Sequence, residues 1–175
     1  MTSTVMIRSA READAQALLD IYRPFVESTS VSFELQAPSV HEFAARITKS
    51  LARWNWLVAE RDGECVGCAY GSPHREREAY AWSVEVSAYV HPNYLRQGIA
   101  RALYSRLFAE LASKGYCNVY AGVTLPNAAS IALHLGAGFS SIGVFKAVGR
   151  KFGAWQDVAW YHRVLRSEPL TDQRP

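Results

Sequence analysis

The stretch from His91 to Gly115 reads HPNYLRQGIARALYSRLFAELASKG. It passes from a proline turn through Arg96-Gln97-Gly98 into an amphipathic helix, Gly98 to Lys114, with Leu103, Leu107 and Leu111 as its stripe and Gly115 as its stop. A helix start exposes unpaired backbone N–H groups and the positive end of the macrodipole. Gly98, followed by the unreactive Ile99 and Ala100 and flanked by Arg96 and Arg101, lets a ligand approach that backbone closely. The chemistry this suits is anion binding, of phosphate above all; a plain tight turn is the other reading of the glycine. Just upstream, AWSVEVSAYVHP alternates as a strand. Val84, Val86, Ala88 and Val90 share one face, and Glu85, Ser87 and Tyr89 the other. Glutamate is disfavoured in strands, so Glu85 is either a surface residue or a carboxylate kept for proton transfer. The preceding loop, PHREREAYAW, offers Arg75, Arg77, Tyr80 and Trp82. A guanidinium reads a carboxylate or phosphinate with two parallel hydrogen bonds; the alternative is a solvated charged loop.

These residues need elements to hold them. TVMIRSA predicts a short first strand. READAQALLDIYRPFVES predicts a helix, with Ala17, Leu18, Ile21, Tyr22 and Phe25 at helical spacing. SVHEFAARITKSLA predicts a second, opened by Ser39 and Glu42 at capping-box spacing. NWLVAERDGECVGCAYG reads as a hairpin turning at Asp62-Gly63. After the long helix come the strand CNVYAGVT and the short helix NAASIALHLGAGF, with Asn127 as its cap and Gly138 near its end. The remainder reads as two strands around a Gly-rich, aromatic connection, then the polar tail RSEPLTDQRP, which should be loose. The order β-α-α-β-β-β-α-β-α-β-β predicts an α+β fold: one domain over residues 1–166 with a mixed sheet, and a tail over 167–175.

Bulk properties exclude several classes. The 175 residues are 49% hydrophobic and 20% charged, as in ordinary globular proteins. A net charge of +3 without a lysine run gives nucleic acid little to bind. No apolar run approaches the roughly 20 residues of a membrane span, and MTSTVMIRSAREADAQ lacks a signal-peptide core, so a cytoplasmic protein is expected. Cys65, Cys68 and Cys117 are an odd number, against a disulfide framework. Cys65-x-x-Cys68 falls on a strand, where residues three apart face opposite ways, and no second pair completes a metal site. No P-loop signature occurs.

The order of elements, with Leu95-Arg96-Gln97-Gly98-Ile99-Ala100 at a strand–helix junction and Asn127-x-x-Ser130 opening the next helix, resembles the GNAT superfamily of N-acetyltransferases. The family's pyrophosphate motif is [Arg/Gln]-x-x-Gly-x-[Gly/Ala]; here its second half is kept and Leu95 stands at the first position. Four further segments, STSVSFELQAPS, AYAWSVEVSAYVHP, LPNAASIALHLGAGF and VGRKFGAWQDV, resemble the phosphinothricin and methionine sulfoximine acetyltransferases within it, from about Ile7 to Leu165.

The resemblance implies a mostly antiparallel mixed sheet flanked by helices, acetyl-CoA as co-substrate, no metal, a small amino acid acylated on its α-amine, and a homodimer. It implies that the backbone of Ala88, Tyr89 and Val90 pairs with the pantetheine arm. The diphosphate would lie over Arg96, Gln97, Gly98, Ile99, Ala100 and Arg101, with Asn127 and Ser130 across the groove, unless Asn127 is only a helix cap. Glu85 falls where the family has its general base. His134 falls on the short helix where many members have a tyrosine; it either donates a proton to the leaving thiolate or is a packing residue. Substrate contacts would come from Arg75, Glu78, Ala79 and Tyr80 in the loop and from Phe33. Gly149 to Trp155 resembles the segment that reaches the partner's site. Two rivals remain: a family member acting on a polyamine, aminoglycoside or protein N-terminus, and a domain that senses CoA or amino acids without turnover.

Overall fold

The structure, a computed structural model, describes residues 4–175. Its strands are β1 (Met6–Ser9), β2 (Trp56–Arg61), β3 (Glu64–Pro73), β4 (Ser83–Val90), β5 (Asn118–Thr124), β6 (Ser140–Lys151) and β7 (Ala154–Val164). Its helices are α1 (Ala15–Glu27), α2 (Val40–Arg53), α3 (Ile99–Ser113) and α4 (Ala128–Gly136). The strands form one seven-stranded sheet in the order β1-β2-β3-β4-β5-β7-β6. Every pairing is antiparallel except β4 with β5. The expected α+β fold and element order are therefore observed.

Both sheet faces are covered, so the central strands are apolar on both sides rather than half polar. In β2, Leu57 and Ala59 join the core that contains Leu103, Leu107 and Leu111 of α3, while Trp56 and Val58 join the opposite core under α1 and α2. The capping box forms: Ser39 Oγ accepts from Glu42 N–H at 3.2 Å, and Ser39 N–H donates to Glu42 at 2.7 Å. The α1 stripe differs from the expected one. Leu18, Ile21 and Tyr22 are buried as expected, but Ala17 is exposed and Phe25 half-buried, and Ala15, Leu19 and Val26 complete the buried face, which runs through 15, 18, 19, 22 and 26 at three- and four-residue spacing.

Three other expectations are corrected. A β-bulge between Ala59 and Glu60 leaves Val66 without a partner, so strict alternation fails. Val66 and Gly67 both face α3, and Cys65 and Cys68 pack against the same core as free thiols. The connection between the last strands is only Phe152-Gly153, both with positive φ, 52° and 75°; Gly149 to Lys151 and Ala154 to Trp155 belong to the strands. The tail has no helix or strand, yet it rests on the body: Leu170 lies over Gly115, and Arg174 pairs with Glu78 at 3.0 Å.

Candidate active site

The parallel pair β4–β5 is short. Its register covers Ser83↔Asn118, Val84↔Val119 and Glu85↔Tyr120, and then stops. Beyond Glu85, β4 remains paired with β3 through Val90, and β5 remains paired with β7 through Thr124. The sheet therefore opens as a wedge between Val86–Val90 and residues 121–124, with Glu85 and Tyr120 at its closed end. The β4 edge facing the wedge has no strand partner, and its five residues span roughly 17 Å.

The two chains that leave the wedge carry helix starts to its mouth. β4 runs through a 3₁₀ turn, Pro92–Tyr94, into α3. Arg96 and Gly98 take left-handed φ values of 60° and 77°. At Gly98 an added Cβ would meet nothing within 4 Å. The first helical bond runs from Ala102 N–H to Gly98 O at 3.0 Å, so the N–H groups of Ile99, Ala100 and Arg101 precede the ladder and point outward. The Arg96 and Arg101 side chains are exposed. Gln97 is not free: its Oε1 accepts from Arg61 at 2.6 Å, which fastens the loop. Arg101 also lines a groove of about 660 Å³ along the outer side of α3, with Ser105, Phe108 and Arg163.

On the other bank, Asn127 caps α4 through its Oδ1, which accepts from Ser130 N–H at 3.1 Å. His134 is buried, and both ring nitrogens are occupied. Nδ1 lies 2.7 Å from the Ser130 carbonyl, so it carries the proton, and Nε2 accepts from Tyr104 Oη at 3.1 Å. Burial lowers its pKa below 6.5, and Phe139 and Tyr161 complete its surroundings.

At the closed end, Glu85 is half-buried. Its Oε1 accepts from His74 Nδ1 at 2.9 Å and from Arg75 at 3.2 Å. The Arg75 guanidinium lies 5.9 Å from the Trp160 ring centre. Tyr80 meets His74 edge-on at 5.7 Å. The structure thus brings Glu85, Arg75 and Tyr80 together, and it adds His74, Tyr120 and Trp160, which the sequence reading did not single out. Cross-strand register places Tyr120 and Trp160, and no local spacing announces either; the one available signal for His74 was its position beside Arg75. Glu78 faces solvent and is tied to the tail. Ala79 lies in the short 3₁₀ turn with it. Phe33 packs against Gly149 of β6. Ala88, Tyr89 and Val90 line the free β4 edge, and the Tyr89 ring turns away into the core beside Tyr22 and Phe25. Among the described residues no group of three or more His, Cys, Asp or Glu side chains could hold a metal, and no helix is long and apolar enough to cross a membrane.

Comparison with known proteins fits this geometry. The Acetyltransferase (GNAT) domain family matches residues 7–160. The chain is 35% identical to a phosphinothricin N-acetyltransferase of Streptomyces viridochromogenes, over 91% of this chain and 87% of that one. It is 34% identical to the L-methionine sulfoximine/L-methionine sulfone acetyltransferase of Salmonella typhimurium, over 95% and 98% of the two chains. The crystal structure of a GNAT superfamily phosphinothricin acetyltransferase from Sinorhizobium meliloti, in complex with AcCoA, superposes with a TM-score of 0.90 at 34% identity, covering all of this chain and 94% of that one. A wedge closed by a carboxylate and opened by two helix starts thus agrees with sequence likeness along nearly the whole length, and the chain belongs to the GNAT acetyltransferase family.

Proposed function

We propose that this acetyltransferase uses acetyl-CoA to acylate the α-amine of a small amino acid with a tetrahedral side-chain head, of the phosphinothricin, methionine sulfoximine or methionine sulfone type. The observation that carries the reading is the wedge: a carboxylate at its closed end and unpaired N–H donors at its open end. The residues fit the co-substrate. The space over Gly98 admits a diphosphate, the N–H groups of Ile99, Ala100 and Arg101 with the Arg96 and Arg101 side chains would hold it, and the free edge at Ala88, Tyr89 and Val90 offers a strand's hydrogen bonds. Asn127 and Ser130 flank the opposite bank. Acetyl-CoA supplies the thioester acyl group.

The chain's own residues then have separate tasks. An amine of pKa about 8 to 10 arrives mostly protonated at neutral pH, and Glu85 takes its proton. Backbone N–H groups near Tyr89 or Val90 are the donors available to a developing oxyanion. Arg75, half exposed beside Glu85, keeps N–H groups for an anionic head, and Tyr80 adds a phenol. His134 stays out of the chemistry because its nitrogens are already bonded. The names of the relatives support the substrate class. The exposed Phe152, Trp155, Val144 and Val148 on the last hairpin support a homodimer, in which Gly149 to Trp155 would approach the partner's site.

Release of free CoA thiol tests the reading across phosphinothricin, methionine sulfoximine, methionine sulfone, glutamate, spermidine and an aminoglycoside. The tetrahedral analogues should show the highest kcat/KM. Glu85→Gln should lower kcat by roughly 10²-fold or more, with the defect shrinking as pH rises toward the amine's pKa. A polyamine or aminoglycoside as best substrate would overturn the substrate class. Binding of acetyl-CoA without turnover of any amine would favour a sensor instead.

A further inference from the structure

The Glu85 carboxylate sits at the end of a line that crosses three strands. In register, Glu85 of β4 stands opposite Tyr120 of β5, and Tyr120 stands opposite His162 of β7. His74, the residue after β3, lies over this line. Its ring stacks on Tyr120 at 4.4 Å and 13°, and Tyr120 stacks on His162 at 4.8 Å. His162 Nε2 is held by Asn118 Oδ1 at 2.8 Å. Tyr80 and Trp160 close on the edges of His74 at 5.7 and 6.3 Å. Only 13% of the His74 side chain is exposed. The imidazole has little freedom to turn, and the one polar group its Nδ1 meets is Glu85 Oε1, at 2.9 Å.

A carboxylate oxygen accepts hydrogen bonds and donates none, so Nδ1 carries the proton. Arg75 donates to the same oxygen at 3.2 Å. Two donors on Oε1 leave Oε2 as the oxygen with capacity to spare. We propose that His74 is a positioning residue for proton abstraction: held by the ring column, it anchors Glu85 through Oε1 and presents Oε2 to the substrate ammonium. This rests on the reading of Glu85 as the base. In the step, one substrate N–H bond breaks, its electron pair stays on nitrogen, and the proton forms an O–H bond with Oε2. His74 keeps its own proton throughout.

The hydrogen bond fixes the acceptor oxygen within reach of the ammonium, and losing that alignment slows the transfer without touching the acetyl-CoA groove. The anchor therefore has two separable signatures, one in kcat and one in the tautomer of the ring. The charged and titratable groups facing His74 are Glu85 from β4, Arg75 and Tyr80 from its own loop and Tyr120 from β5, with His162 of β7 behind Tyr120.

The test compares His74→Phe, which keeps a ring on Tyr120 and removes the donor, with His74→Asn, whose Nδ2 leaves Cγ as Nδ1 does. Parent and Glu85→Gln run alongside. His74→Phe should lower kcat about tenfold, since Arg75 remains as a second anchor, and leave the KM for acetyl-CoA unchanged. His74→Asn should recover most of the loss. Nitrogen-15 NMR of the parent should show the His74 proton on Nδ1, with that signal displaced in Glu85→Gln; a proton on Nε2 would overturn the anchor even if His74→Phe failed to fold. A kcat for His74→Phe within twofold of the parent, or a loss with no recovery by asparagine, would equally overturn it. If Glu85→Gln kept the parental kcat, the assignment of the base would fall first.

Discussion

At His134 both ring nitrogens have partners before any ligand arrives, and the surroundings are aromatic. Charging such a ring is costly, which is why burial holds its pKa below 6.5. The sign of the consequence follows. The unfolded state binds a proton near pH 6.5 and the folded state only below that, so the stabilisation is complete above about 6.5 and is lost as pH falls toward the folded pKa. His162, with its pKa also lowered by burial, pulls the same way. Replacing His134 by leucine removes this titration and leaves the buried Tyr104 hydroxyl without its acceptor, at a cost of about 1–3 kcal/mol. Urea melts should show His134→Leu less stable than the parent at pH 8, with the gap narrowing at pH 5. Its kcat at pH 8 should stay within a few-fold of the parent. A gap that widens in acid, or a collapse of kcat, would return His134 to the chemistry. Glu85 and the Gly98 helix start were legible because strand alternation and glycine placement are local signals. The surroundings of His134 were not, because its Nε2 meets Tyr104, which lies 30 residues away.

The hairpin of β6 and β7 shows the same limit at the scale of an element. Its strands were expected from their composition, but the two-residue turn and the partner of Gly149 were not. Gly149 lies against the Phe33 ring with no room for a Cβ, and Lys151, buried, donates to the carbonyls of Val26 at 2.6 Å and Ser32 at 2.7 Å. The segment after α1 is thus pinned to the hairpin from both sides. The Tyr22 hydroxyl adds bonds to Ser32 at 2.6 Å and Glu34 at 2.8 Å, and Glu34 accepts from Arg46 at 2.6 Å. Gly149→Ala must displace Phe33, but the obstructing atoms are the far end of a ring that is 41% exposed. The penalty should therefore fall at the low end of overpacking costs, about 1 kcal/mol. If Phe33 borders the amino-acid pocket, Gly149→Ala should raise the KM for the favoured amino acid several-fold while Tm moves by only a few degrees. Phe33→Ala alone should give a similar KM, and adding Gly149→Ala to it should change little. Additive effects on KM would separate Phe33 from Gly149 and place the pocket elsewhere.

For the whole molecule, the exposed apolar side chains are unevenly placed. Ile142, Val144, Phe145 and Val148 on the edge strand β6, with Phe152 and Trp155 at the tip, are all more than 40% exposed. An edge strand with such a surface invites association unless something covers it. Sedimentation of the parent should give a dimer at micromolar concentration, and Trp155→Glu with Phe152→Glu should give monomers. A monomeric parent would remove the partner from the reading of Gly149 to Trp155. The wedge has a consequence for solvent exchange. The sheet is continuous between β4 and β5 over three residue pairs only, so backbone amides of Val86 to Val90 directed into the opening lack a ladder, while those directed toward β3 keep theirs. In the free enzyme, deuterium should enter this strand quickly on one side and slowly on the other, and saturating acetyl-CoA should slow the fast set without altering β1 or β2.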